Sequence, residues 1–120
     1  MGANLGKDSD QNKTIYEKFL DQTINSNQIV VFSKTNCPFC TKAKSLLNTL
    51  NLSYNSIELD RNSECPESNC QPLISSLINQ TRLRTVPQIF INGQFIGGFI
   101  DLEYLSKDQE KLRKILSKEK

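Results

Sequence analysis

Residues 28–40 read Gln28-Ile29-Val30-Val31-Phe32-Ser33-Lys34-Thr35-Asn36-Cys37-Pro38-Phe39-Cys40, and their order decides the fold. Ile29 to Phe32 form a short, continuous apolar run, the pattern of a central strand buried on both faces. Pro38 is tolerated in a helix only within the first turn, so a helix must begin beside the cysteines, with Thr35 or Asn36 able to start it. Ala43, Leu46, Leu47 and Leu50 then share one helical face. Upstream, Ile15, Tyr16, Phe19, Leu20 and Ile24 make an apolar stripe, which predicts a helix over Lys13 to Ile24 with Thr14 or Lys13 near its start.

Downstream, Ser53 to Leu59 predicts a second strand. Residues 60–70, polar and interrupted by Pro66, predict a loop. Gln71 to Thr81 predicts a helix with Leu73, Ile74, Leu77 and Ile78 on its face. Gln88 to Ile91 and Gln94 to Ile96 predict two strands joined by the two-residue turn Asn92-Gly93. Gly97-Gly98 ends the last strand. Asp101 to Leu116 is helical, with a break near Ser106 or Lys107. The β-α-β start requires a parallel pair with a right-handed crossover, and the hairpin requires an antiparallel pair. The expected fold is therefore α/β, with a four-stranded mixed sheet flanked by helices on both faces.

The 120 residues suit one domain, taken as 13–120, preceded by a polar segment 1–12 expected to be a disordered tail. A formal charge of +2 does not point to nucleic acid. No apolar run reaches membrane-spanning length. The first residues have neither a hydrophobic signal core nor the look of a transit peptide, so a cytoplasmic protein is expected. The chain has no histidine, which removes the commonest general base and metal ligand. In a reducing compartment its four cysteines would more often be catalytic or metal-binding than structural.

A thiol attacks only as its thiolate. Cys37 lies where a strand feeds a helix, so unpaired backbone N–H groups and the helix dipole face its sulfur. Lys34 adds positive charge. Both favour the anion over the free thiol, whose pKa is ~8.5. Cys40 lies roughly one turn further on and deeper in the helix. The asymmetry makes Cys37 the attacking sulfur and Cys40 the resolving one. The alternative is half of a zinc site completed by Cys65 and Cys70, but the strand-to-helix setting is unlike a zinc knuckle. Cys65 and Cys70 otherwise read as exposed free thiols, a local disulfide or a regulatory redox pair.

Two further stretches carry chemistry. At Thr85-Val86-Pro87 the proline opens a strand, as simple punctuation or with a cis bond that would turn the Val86 backbone toward an extended partner. At Gly97-Gly98-Phe99-Ile100-Asp101 a strand meets a helix start, where a ligand can approach the backbone and an anion is favoured; a turn with an N-cap is the plainer reading.

Together, Cys37-Pro38-Phe39-Cys40, Thr85-Val86-Pro87, Phe90-Ile91-Asn92-Gly93 and Ile96-Gly97-Gly98 followed by Asp101 resemble the dithiol glutaredoxins, in the family's order and spacing. The resemblance covers roughly residues 14–117. It implies a thioredoxin-like fold, a cis Val86–Pro87 bond and glutathione as reducing cosubstrate, with no permanently bound cofactor and no metal site. By the same resemblance Lys34 would hold the glycine carboxylate of glutathione and Phe39 would line its groove. Val86, between Thr85 and Pro87, would pair with the cysteinyl backbone. Gly98, Phe99, Ile100 and Asp101 would take the γ-glutamyl end. The implied partners are glutathionylated or disulfide-containing proteins and the glutathione reductase that recycles oxidised glutathione. A monomer is expected. Some members bridge an iron–sulfur cluster between two chains, which Pro38 should disfavour. Three positions depart from the family. Ile74 stands where a glutamine is frequent, leaving Gln71 one turn earlier to substitute. Ile100 replaces a small polar residue, and Arg82 replaces a helix-ending glycine.

Overall fold

The structure is a computed structural model that describes residues 13–61 and 70–118. Its elements are α1 (Ile15–Ser26), β1 (Ile29–Ser33), α2 (Pro38–Thr49), β2 (Asn55–Glu58), α3 (Gln71–Thr81), β3 (Gln88–Ile91), β4 (Gln94–Gly97), α4 (Phe99–Ser106) and α5 (Gln109–Ser117). The four strands form one sheet in the order β2-β1-β3-β4. β1 runs parallel to β2 and antiparallel to β3, and β4 returns antiparallel along β3. This is the mixed α/β sheet the sequence predicts. Segment 1–12, read as a tail, and most of the 60–70 loop lie outside the described residues.

Every residue of β1 and β3 is buried, because each of these strands packs on both faces. On one face Val30, Phe32 and Phe90 meet Leu20 and Ile24 of α1 and Leu73 and Leu77 of α3. Phe32 and Phe90 pack edge to face, their ring centroids 5.8 Å apart. On the other face Ile29, Val31, Ile89 and Ile91 meet Ala43 and Leu47 of α2, Leu102 and Leu105 of α4, and Leu112 and Ile115 of α5. The period-2 alternation of side chains along a strand produces this division from a single apolar run.

Local chemistry sets the element ends. Thr14 caps α1 in a reciprocal box: its hydroxyl accepts from Glu17 N–H at 3.1 Å, and the Glu17 carboxylate accepts from Thr14 N–H at 2.8 Å. The helix expected from Asp101 starts instead at Phe99 and stops at Ser106, and α5 follows. The early start arises because the Asp101 carboxylate reaches back to accept from Gly98 N–H at 2.9 Å, placing Asp101 inside the first turn. The break arises because Asp108 caps a new helix, accepting from Lys111 N–H at 3.1 Å. Asn92 and Gly93 both have positive φ, 50° and 81°, as a tight hairpin turn requires.

Arg82 ends α3 in the left-handed region, with φ 67° and its N–H donating to Ile78 C=O at 2.7 Å. A side chain with a Cβ is disfavoured there relative to glycine. Arg82→Gly is therefore expected to stabilise the fold by up to about 1 kcal/mol, part of the gain being offset by the freer unfolded chain. A thermal midpoint raised relative to the parent checks this.

Candidate active site

Cys37 is the N-cap residue of α2, a role expected for Thr35 or Asn36. The reason is local: the residue before a proline is pushed to extended backbone, and Cys37 adopts φ −137°, ψ 103°. Its sulfur takes the place of a capping oxygen. Cys40 N–H donates to Cys37 Sγ at 3.1 Å. Pro38 occupies the first helical turn, where its missing N–H costs nothing. Cys37 and Cys40 are joined by a disulfide with Cα atoms 5.2 Å apart. Cys37 is half-buried and Cys40 only 1% exposed, the asymmetry expected of an attacking and a resolving sulfur.

The Val86–Pro87 bond is cis. The Val86 carbonyl oxygen lies 3.7 Å from Cys37 Sγ, which brings this loop directly over the disulfide. A groove of about 400 Å³ opens beside it. Its walls are Phe39 from α2, Leu83 and Thr85 to Pro87 from the loop before β3, and Gly98 to Asp101 at the start of α4. The Phe39 and Phe99 rings approach across the groove, 6.1 Å between centroids. Lys42 Nζ sits 5.0 Å from the Phe39 ring centre, a cation on an aromatic face. Phe39 and Ile100 remain 51% and 53% exposed, so the groove has an apolar floor and rim open to a ligand.

Of the predicted site residues, Phe39, Thr85, Val86, Pro87, Gly98, Phe99, Ile100 and Asp101 thus converge beside Cys37 and Cys40. Lys34 and Gln71 do not line this groove. Lys34 is exposed in the loop between β1 and α2, and Gln71 is exposed at the first turn of α3. Ile74, where a glutamine is frequent, packs against the α1/α3 core instead. Cys70 is not an exposed loop thiol: it is fully buried in that core and is disulfide-bonded. Cys65 lies outside the described residues.

Three residues beneath the site escaped the sequence reading. Leu83 lines the groove. Gln88, 1% exposed, donates from Nε2 to Leu83 C=O at 2.6 Å and Thr85 C=O at 3.1 Å, clasping the loop that carries Val86. Its signal was a lone amide in an otherwise apolar strand. Asp60, just past β2, bonds Thr35 in the loop before Cys37.

Glu58 at the end of β2 accepts from Ser56 Oγ at 2.7 Å, Lys44 Nζ at 2.9 Å and Ser33 Oγ at 3.2 Å, tying β2 to α2 and β1. Burial pushes its carboxyl up, but these bonds and the Lys44 charge outweigh burial and hold it below the usual carboxylate value.

A glutaredoxin family model matches residues 29–96. The chain belongs to the glutaredoxin family. Bovine mitochondrial glutaredoxin-2 is 42% identical over 93 residues, covering 78% of this chain and 56% of that protein. The human mitochondrial glutaredoxin-2 is 38% identical over 112 residues, covering 93% of this chain and 65% of that protein. The chain thus spans less than two thirds of the length of either relative. Among solved structures, a buckwheat glutaredoxin–glutathione complex superposes with a TM-score of 0.75 at 37% identity, covering 86% of this chain and 88% of that one. The sheet and helices are accordingly the thioredoxin-like arrangement of glutaredoxins, with the Cys37–Cys40 pair at the strand-to-helix junction.

Two outcomes are expected. Gly97 has φ 124°, and a Cβ there would fall inside the van der Waals envelope of the Asp101 carboxylate. Gly97→Ala should therefore destabilise the fold by roughly 1–3 kcal/mol and displace Asp101 from Gly98 N–H. Denaturant unfolding and loss of amide protection at Gly98 check this. For Glu58, the lowered folded value means that its bonds stabilise the fold above the ordinary carboxylate range. That contribution is lost as pH falls through the lowered value. Glu58→Gln should then lower the thermal midpoint by about 3–6 °C at about pH 7 and by little at about pH 3. Thermal melts at the two pH values check it.

Proposed function

We propose that this glutaredoxin is a glutathione-dependent thiol–disulfide oxidoreductase acting on glutathionylated proteins and on protein or small-molecule disulfides. The observation that carries the reading is Cys37 Sγ at a helix N-terminus, accepting from Cys40 N–H and lying 3.7 Å from the carbonyl oxygen of Val86, which lines an open groove. When the disulfide is reduced, the N–H groups of the first turn of α2 stabilise the thiolate at Cys37.

The Cys37 thiolate attacks the glutathione-side sulfur of a mixed disulfide. The S–S bond breaks, the substrate sulfur leaves as thiolate and takes a proton, and glutathione stays on Cys37. A second glutathione thiolate attacks that bond, releasing oxidised glutathione and regenerating the Cys37 thiolate. For protein disulfides, Cys37 attacks one substrate sulfur, and Cys40 then attacks Cys37 in that mixed disulfide so the substrate leaves as a dithiol. Two glutathiones in succession reduce the resulting Cys37–Cys40 disulfide, leaving as oxidised glutathione. Both routes conserve electrons between sulfurs and need no histidine.

Glutathione fits the groove by chemistry. The Val86 backbone can pair with the cysteinyl peptide group, and Phe39 and Pro87 supply apolar walls. Gly98 to Asp101 offer α4's N-terminal amides, and Asp101 Oδ1, to the γ-glutamyl end; Asp101 Oδ2 is already engaged with Gly98 N–H. The buckwheat relative is described as a glutathione complex, which supports the same ligand here. Lys34 and Gln71 lie off the groove wall, so their proposed hold on the glycine carboxylate requires that the ligand extend past Cys37.

The test is glutathione-dependent reduction of a mixed disulfide, coupled to glutathione reductase and NADPH. The parent should turn over. Cys37→Ser should fall below about one hundredth of the parent, because serine offers no comparable nucleophile at neutral pH. Cys40→Ser should keep the glutathione route. Substantial turnover by Cys37→Ser would overturn the assignment.

A further inference from the structure

The loop that delivers Cys37 is held from an unexpected side. Backbone pairing between β1 and β2 ends with Ser33 opposite Glu58 and Leu59 N–H donating to Ser33 C=O at 2.7 Å. Lys34, Thr35 and Asn36 then bridge to Cys37, and all three are exposed, so packing does not fix them. Asp60 continues the pairing with its side chain. Its Oδ1 and Oδ2 lie 3.2 and 3.3 Å from Thr35 N–H, and Oδ2 accepts from Thr35 Oγ1 at 2.7 Å. Thr35 sits one residue after Lys34 and two before Cys37.

We propose that Asp60 is a positioning residue for the redox centre: by pinning Thr35 it fixes the approach of Cys37 Sγ to Cys40 N–H. The inference rests on the thiol-exchange function proposed above. An ionised acceptor strengthens such hydrogen bonds. The Thr35 hydroxyl bond is the main reason the Asp60 carboxyl lies below its usual range; desolvation opposes it, and the Thr35 N–H, a backbone N–H bond and the Arg61 charge add to the lowering. The group is near the surface, so removing it leaves Thr35 N–H to water rather than orphaned. The fold then loses little while the loop loses its tether.

The experiment measures iodoacetamide alkylation of Cys37 against pH, in reduced protein carrying Cys40→Ser, read by mass spectrometry on the Cys37 peptide. Asp60→Ala should slow alkylation at neutral pH by about fivefold and move the pH profile upward, as expected when a hydrogen-bond tether is lost. Loss of a neighbouring negative charge alone would move the profile the other way. Asp60→Asn keeps an acceptor oxygen and should stay within about twofold of the parent. Adding Thr35→Val to Asp60→Ala should cost nothing further if the two act as one unit. An unchanged or downward profile for Asp60→Ala, an equal loss in Asp60→Asn, or additive losses in the double variant would each overturn the proposal. Alkylation uses no glutathione, so this result is separable from failure of the coupled assay.

Discussion

The structure depends on β1 being buried on both faces. A strand covered on one side only would leave half of Ile29 to Phe32 in water. Here the odd positions enter the α2/α4/α5 layer and the even positions the α1/α3 layer. Full burial at roughly 25 cal/mol per Å² of apolar surface makes β1, like β3, costly to displace. It is also the strand whose end emits Cys37. Rigidity needed for the core is thereby handed to the site, since the sulfur's position follows from where β1 stops and α2 starts.

Around that fixed end the site is assembled from turns. The cis Val86–Pro87 loop crosses above Cys37 Sγ, Gln88 clasps it from below, and α4 begins at the far wall. Each piece is anchored at a buried point of the sheet: Gln88 lies in the fully buried β3, and the buried Gly97 closes β4. The sheet thus sets the groove's width, while the two α-helical N-termini, of α2 and α4, direct their free amides toward it.

Most of this was legible from residue patterns. The apolar run 29–32, the Asn92-Gly93 turn and the proline after Cys37 each have one good structural solution. The strand order and both layers follow from them. The errors have a common origin. Helix starts were misplaced at Cys37 and Asp101 because a sulfur and a back-reaching carboxylate did capping work usually read from other residues. Asp60 is invisible in the sequence because its partner Thr35, 25 residues away, is met only after β1 and β2 pair, whereas Gln88 leaves a signal, a lone amide in an apolar strand whose partners Leu83 and Thr85 lie just upstream. The carboxylate-binding roles of Lys34 and Gln71 rest on family resemblance, and neither residue lines the groove wall. The loop before Cys70 read as polar, yet Cys70 itself is a core residue.

The groove's contacts near the sulfur come largely from the main chain: the Val86 peptide unit, the N–H groups at the start of α4 and the first turn of α2. Main-chain groups are present whatever side chain they carry. Substitutions such as isoleucine at 100 or arginine at 82 therefore alter the rim or the stability while leaving the recognition surface in place. A groove framed this way presents main-chain hydrogen-bonding groups whose spacing is set by the sheet rather than by the residues on its rim.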